Sequence, residues 1–171
     1  DALAQYCPRL QVLDIQDIAL SDPSLFLMSL AKFPHLLDLD IRDIHTLPLS
    51  PTDLKELILL LPKLRVLRIR SPWFTDAHLV ALTTPNQGQY SSLCHLYLQE
   101  CENITMEGVR ILLEAKTMKQ MNALNITDIR FDPAIFDLRL QFPDVVIDLT
   151  SLEDMDCKAS RRFRCKGLPP Q

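Results

Sequence analysis

The chain has 171 residues, 47% of them apolar, and a formal net charge of −4. That length suits one domain with a continuous core, and the charge gives no bulk attraction to nucleic acid or to an anionic membrane. No apolar run approaches transmembrane length, no secretory signal opens the chain, and five cysteines without a paired framework read as free thiols in the cytosol or nucleus.

Residues Asp1–Tyr6 (DALAQY) read as the last turns of a helix whose start lies upstream, so the segment is expected to be cut from within a longer repeat array. Pro8 then stops the helix, because proline cannot continue one and suits the approach to a strand. In CPRLQVLDI, at Cys7–Ile15, apolar and polar residues alternate as a half-buried strand requires. Leu13 and Ile15 would face the core, with Asp14 and Gln16 facing out. Asp22-Pro23 next places an N-cap side chain before a proline at the first helical position. FPHLLDLDI at Phe33–Ile41 repeats the strand phrase, and Ser50-Pro51 repeats the cap. Leu54, Leu57, Ile58 and Leu61 mark one helix face, so the run Leu57–Leu61 reads as core helix. LPKLRVLRI at Leu61–Ile69 is the third strand phrase, SSLCHLYL at Ser91–Leu98 the fourth and KQMNALNI at Lys119–Ile126 the fifth. Thr75, Thr105 and Asp132-Pro133 supply the later caps, and a degenerate sixth strand is predicted at Val145–Leu149. Trp73 and Phe74, just past the third strand, read as aromatics packed beneath their loop, with contact to a partner as the other reading.

Leu10, Leu36, Leu64, Leu93 and Met121 open these phrases at spacings of 26, 28, 29 and 28 residues. Each reads L-x-x-L-x-L/I, with a further position three places on at Ile18, Ile44, Pro72, Cys101 and Ile129. A period of this size marks a leucine-rich repeat, whose units cannot bury their apolar faces alone and must stack. Parallel strands joined by helices need crossovers, almost always right-handed. The predicted fold is therefore α/β: a leucine-rich-repeat right-handed solenoid, ribonuclease-inhibitor-like, with a parallel sheet on the concave side and helices on the convex side. Its strands would span roughly 24 Å at about 4.8 Å each. The solenoid is expected over residues 1–150, as about five repeats plus the degenerate strand. Residues 151–171 read as a basic, disordered tail, in which KASRRFRCK at Lys158–Lys166 has a nuclear-import or nucleic-acid patch as its second reading.

The stretch LCHLYLQECENITMEGVRILLEA at Leu93–Ala115 resembles the cysteine-containing type of leucine-rich repeat. Leu96, Leu98, Cys101, Ile104, Thr105, Gly108 and Leu112 carry that resemblance. This repeat type is characteristic of F-box/leucine-rich-repeat proteins, the substrate receptors of cullin-based ubiquitin ligases. The general repeat resemblance covers about Asp1–Leu149, whereas the cysteine-type match covers one repeat of five. It implies a substrate receptor that meets ubiquitin-ligase subunits only through an F-box upstream of Asp1.

Nothing in the chain assembles into a catalytic constellation. His35, His45, His78 and His95 fall at unrelated phases of the repeat, and no glycine-rich phosphate loop is present. Cys157 and Cys165 have no histidine nearby, so no metal site is expected and no cofactor is implied. Asp14, Asp38 and Asp40 are close in phase, but on an open sheet nothing would exclude water from them. An enzyme is not expected. Outward residues of successive strands should instead align in three columns. The first is Val12, Asp38, Val66, His95 and Ala123; the second is Asp14, Asp40, Arg68, Tyr97 and Asn125; the third is Gln16, Arg42, Arg70, Gln99 and Thr127. The candidate partner-binding residues are Asp14, Asp38, Asp40, Arg42, Arg68, Arg70, His95, Tyr97, Gln99 and Asn125, since arginine and aromatic side chains dominate binding hot spots. Asp40 beside Arg68 can equally be a solvated cross-strand pair. The expected partner is a protein target, with neither a membrane nor nucleic acid. The alternatives are an intracellular scaffold or immune-sensor module without a ubiquitin role, and a GTPase-regulating repeat domain.

Overall fold

A computed structural model describes residues 5–16, 22–42, 49–83, 92–115, 118–129 and 134–151. Strand and helix alternate through them: β1 (Val12–Gln16), α1 (Pro23–Leu30), β2 (Asp38–Arg42), α2 (Pro51–Leu60), β3 (Val66–Arg70), α3 (Asp76–Thr83), β4 (His95–Gln99), α4 (Met106–Glu114), β5 (Ala123–Ile129), α5 (Ala134–Gln141) and β6 (Val146–Ser151). The six strands form one open sheet in sequence order, and every neighbouring pair is parallel. A doubly wound sheet would reverse its order at a switch point, and this one never does. Each helix packs against the next along the chain, as helices gathered on one face of the sheet do.

Burial follows the two-residue strand period. Leu39, Leu67, Leu96, Leu98, Leu124 and Ile126 are wholly inaccessible to solvent, whereas the residues between them on the central strands keep part of their surface. The helices close the other side of this core through Leu27, Leu30, Leu54, Leu57, Leu79, Leu82, Val109 and Leu112. The phrase-opening residues Leu36, Leu64, Leu93 and Met121 sit beneath the turn into each strand, all of them buried. A single core thus runs the length of the sheet.

The helix starts follow local chemistry. Asp22 accepts from the Ser24 N–H at 2.8 Å ahead of Pro23. Ser50 and Asp53 form a reciprocal capping box, with Ser50 N–H donating to Asp53 Oδ2 at 2.8 Å and Asp53 N–H to Ser50 Oγ at 3.2 Å. Thr105 caps α4 by accepting from the Gly108 N–H at 3.3 Å. Thr75 departs from the expected cap. Its N–H donates to His78 Nδ1 at 3.1 Å, and Nε2, which then carries the ring proton, donates to the Leu49 carbonyl at 3.0 Å. His78 is buried and stacks on Phe74 with ring centroids 4.5 Å apart, so it ties the start of α3 to the start of α2. The Asp132-Pro133 cap lies outside the described residues.

Two expectations need correction. Pro72, at the repeat position that Cys101 takes in the fourth unit, is exposed, and Phe74 two places later is buried at 1% exposure. A proline between strand and loop has no N–H for a ladder and turns the chain, so the first residue able to reach the core is two places later. The Trp73–Phe74 pair accordingly splits: Phe74 packs under the loop and Trp73 is 61% exposed. The sixth strand begins one residue later and ends two later than predicted, so the boundary drawn after residue 150 cuts through it. A register shift between Thr127 and Ile129 lets β5 pair further along β6.

Side chains in the turns that flank the strands bind one unit to the next. Cys101, fully buried, lies with Sγ 3.7 Å from the Ser71 carbonyl and 3.3 Å from that of Gln99. Asn103 Nδ2 donates to the Pro72 carbonyl at 3.1 Å, and Ser92 Oγ donates to that of Pro62 at 2.8 Å. Asp76 accepts both the Thr105 N–H at 2.8 Å and the Thr105 hydroxyl at 2.7 Å. A Cβ on Gly108 would stand 2.2 Å from Asp76 Oδ1, so this lock requires glycine at 108.

Candidate functional site

The outward face of the sheet is built by the strand period. A shift of one residue in any strand would turn its entire outward set into the core, so the buried leucines specify the register. Val12, Asp38, Val66, His95 and Ala123 stand side by side, continuing to Val146. Asp14, Asp40, Arg68, Tyr97 and Asn125 form the second column and continue to Asp148. In the third, Gln16 pairs with Arg42 and Arg70 with Gln99. Arg42 therefore lies on β2 in register, and its side chain falls outside the described set.

Contacts concentrate on the second, third and fourth strands. Arg68 makes an ion pair with Asp38, reaching back diagonally from the Asp40 register position, and its guanidinium carbon lies 5.2 Å from the centroid of the Tyr97 ring. A cation against the negative face of an aromatic ring is attracted by about 0.5–1 kcal/mol when exposed. The His95 ring meets Tyr97 edge-on at 6.5 Å and 61°. Asp40 is buried to 6% exposure, the least accessible of the nine candidate residues whose side chains are described. Asp40, Arg68, Ile69, Tyr97 and Gln99 line an open depression of about 400 Å³. Asp14 lies exposed on β1 beyond this cluster, while Asn125 lies on the other side and donates from Nδ2 to Asp148 Oδ2 at 3.2 Å.

Two members of this surface were missed in the sequence. Glu100 pairs with Arg70, although it follows β4 and lies outside the alternating columns. Its φ of 59° is a left-handed conformation unusual for a side chain of this size, which swings the carboxylate back over the sheet. No pattern in the sequence signals that turn. Asp148 was legible, because the degenerate strand continues the second column past Asn125.

The other described histidines, His35 and His78, take no part in this face. His78 is committed to the core, and His35 lies with Nδ1 3.1 Å from Lys63 Nζ. His45 is outside the described residues. Among those described, no group of three or more His, Cys, Asp or Glu residues is arranged to hold a metal ion. No helix among them is long and apolar enough to cross a membrane. No protein-family model matches the chain, and no curated protein is significantly similar to it.

Proposed function

We propose that the chain is a leucine-rich-repeat solenoid of the ribonuclease-inhibitor type that recognises a protein on the outward, concave face of its sheet. Its role is that of the substrate-binding repeat region of an F-box-type ubiquitin-ligase adaptor, holding a target while separate subunits perform the chemistry. One observation carries the recognition reading: the outward columns bring Asp40, Arg68, Tyr97 and Gln99 together around a depression, with His95 against Tyr97 beside it. Arginine and tyrosine in a half-buried, pre-arranged cluster can anchor a partner with little loss of side-chain freedom. The cysteine-type assignment is supported by the geometry around Cys101, Thr105 and Gly108. The Cys101 thiol reaches a carbonyl one repeat back, Thr105 caps the helix, and Gly108 lets Asp76 of the preceding repeat approach.

The test uses the full-length protein in cells, with a photo-crosslinking residue placed at Tyr97 and, separately, at Leu140 on the helix side. The expected result is a discrete protein adduct from Tyr97 that is absent from Leu140, together with co-purification of cullin-ligase subunits. Equal labelling from both positions removes the recognition face. A Tyr97-specific adduct without ligase subunits keeps the recognition module and removes the ubiquitin role.

A further inference from the structure

The strands are entered through a recurring turn. The N–H groups of Leu10, Leu36, Leu64 and Met121 donate to the carbonyls three residues earlier at 3.1, 3.1, 3.0 and 2.9 Å, and that of Val145 does so at 3.1 Å. Proline suits the second position of such a turn, which Pro8, Pro34, Pro62 and Pro143 occupy. The third position holds Arg9, His35, Lys63, Gln120 and Asp144 in chain order, with Ser92 at the equivalent place in the fourth unit. Arg9, His35 and Lys63 are exposed, and Lys63 Nζ donates to His35 Nδ1 at 3.1 Å, so these positions stand side by side on adjacent turns. An ammonium has no acceptor, so His35 keeps its own proton on Nε2 as a donor.

This edge of the first three units is basic, although the whole chain carries −4. Stretches 5–11, 31–37 and 61–65 hold Arg9, Lys32, His35, Lys63 and Arg65 without a single Asp or Glu. At the opposite edge, where the helices begin, the sign is reversed: Asp22 and Asp53 cap α1 and α2, and Asp76 holds Thr105. Attraction to the negative ends of helices favours cations near their C-termini in general. It does not account for the row, because later units also end a helix before the turn and place Ser92, Gln120 and Asp144 at the third position.

Spacing narrows the choice of partner. Adjacent strands lie about 4.8 Å apart, which sets Arg9 and Lys63 about 10 Å from each other along the backbone. A helix lying along the row presents one side chain per turn, about 11 Å over two turns. An extended chain repeats on one side every 6.7 Å or so, and overshoots by about 4 Å over the same distance. A long polyanion such as nucleic acid needs a continuing track of cations, and this row stops after three units, with Lys119 two units beyond it.

We propose that the strand-entry edge of the first three units docks an acidic helix of a partner protein, with one carboxylate per turn facing Arg9, His35 and Lys63, and Arg65 beside the row. This edge is separate from the depression around Asp40, so binding here stands independently of the recognition face.

The test titrates the 171-residue chain with fluorescently labelled, lactam-locked alanine-rich helices and with a single-stranded DNA oligonucleotide. One helix carries three glutamates on a single face, at i, i+4 and i+7; the other spreads the same three around its circumference. Fluorescence anisotropy is expected to rank the one-face helix first, about tenfold tighter than the other. The backbone amides that shift in NMR titrations should include those of Arg9, His35 and Lys63 and exclude that of Tyr97. Arg9→Gln and Lys63→Gln should each weaken the one-face helix about threefold and together about tenfold, with unchanged circular dichroism because both side chains are exposed. Lys55→Gln on α2 should leave binding as it was. Equal affinity for the two helices, tighter binding of the oligonucleotide, no binding by any probe, shifts centred on Tyr97, or equal effects of Lys63→Gln and Lys55→Gln would each overturn the proposal.

Discussion

Leu67 and Leu13 hold the same place in their respective units, yet one is wholly buried and the other only half. The same contrast separates Leu64 from Leu10 and Ile69 from Ile15. Strands β2 to β5 have a paired strand on each side, so a residue there is covered by its own helix and by both neighbouring units. β1 has a described partner strand on one side only. Inward orientation comes from the strand period; full burial comes from having neighbours. A unit in such an array therefore has the stability of its interfaces rather than of its own sequence.

That difference can be broken most forcefully in the middle. Leu67→Ala should cost about 2–5 kcal/mol in urea unfolding, since a cavity at this site is walled by neighbours that cannot collapse into it. Leu13→Ala should cost about 1 kcal/mol, because a half-buried site loses less transfer energy and leaves no closed void. Equal costs would mean that the terminal unit is as well packed as the central one.

Gly108→Ala should come next, at about 2–3 kcal/mol, by pushing Asp76 away and breaking its two bonds to Thr105. Pairing it with Asp76→Ala sharpens the point. If the glycine matters only through that lock, the double variant should cost much less than the sum of the two single ones. Cys101→Ala should cost about 1–2 kcal/mol for a small buried group and its weak hydrogen bonds between units. Asp22→Ala, at the cap of α1, should cost about 1 kcal/mol, an effect confined to one helix start. The smallest effect belongs to Trp73→Ala. Its exposed ring should change stability by less than about 0.5 kcal/mol, so any loss of partner binding by this variant reports on contact rather than on folding.

On the outward face, charge reversal should cost more than it does for isolated exposed charges. Arg68 lies against Asp38 and beside Asp40, so Arg68→Glu would gather three carboxylates on adjacent sites. Arg68→Gln is the cleaner probe of binding, with a stability cost of about 1 kcal/mol or less for a half-exposed pair.

Much of this surface was legible before any coordinates. The alternation in VLDI, DLDI, VLRI, HLYL and ALNI decides which side chains leave the core, and the constant phrase aligns them across strands. The first two columns stand as the repeat places them. What was not legible depends on irregular backbone. The sequence pattern pairs Arg68 with Asp40, whereas the guanidinium extends diagonally to Asp38, a rotamer choice that period-two reasoning does not address. Glu100 joins Arg70 through a left-handed turn, and past Pro72 it is Phe74 rather than Trp73 that is buried.

By itself the sequence determined the order of strands and helices, the inward and outward sets, the cap residues at Asp22, Ser50 and Thr105, and the repeat spacing that makes the units equivalent. These depend on contacts within a few residues or on periodicity, which a linear chain carries directly. Only the tertiary structure decided how deeply Asp40 is buried, which carboxylate holds Arg68, why residue 108 must be glycine, and how Asp40, Arg68 and Tyr97 gather around one depression. Each of those depends on groups about 30 residues apart in the chain, brought together when neighbouring units stack and their side chains compete for the same space.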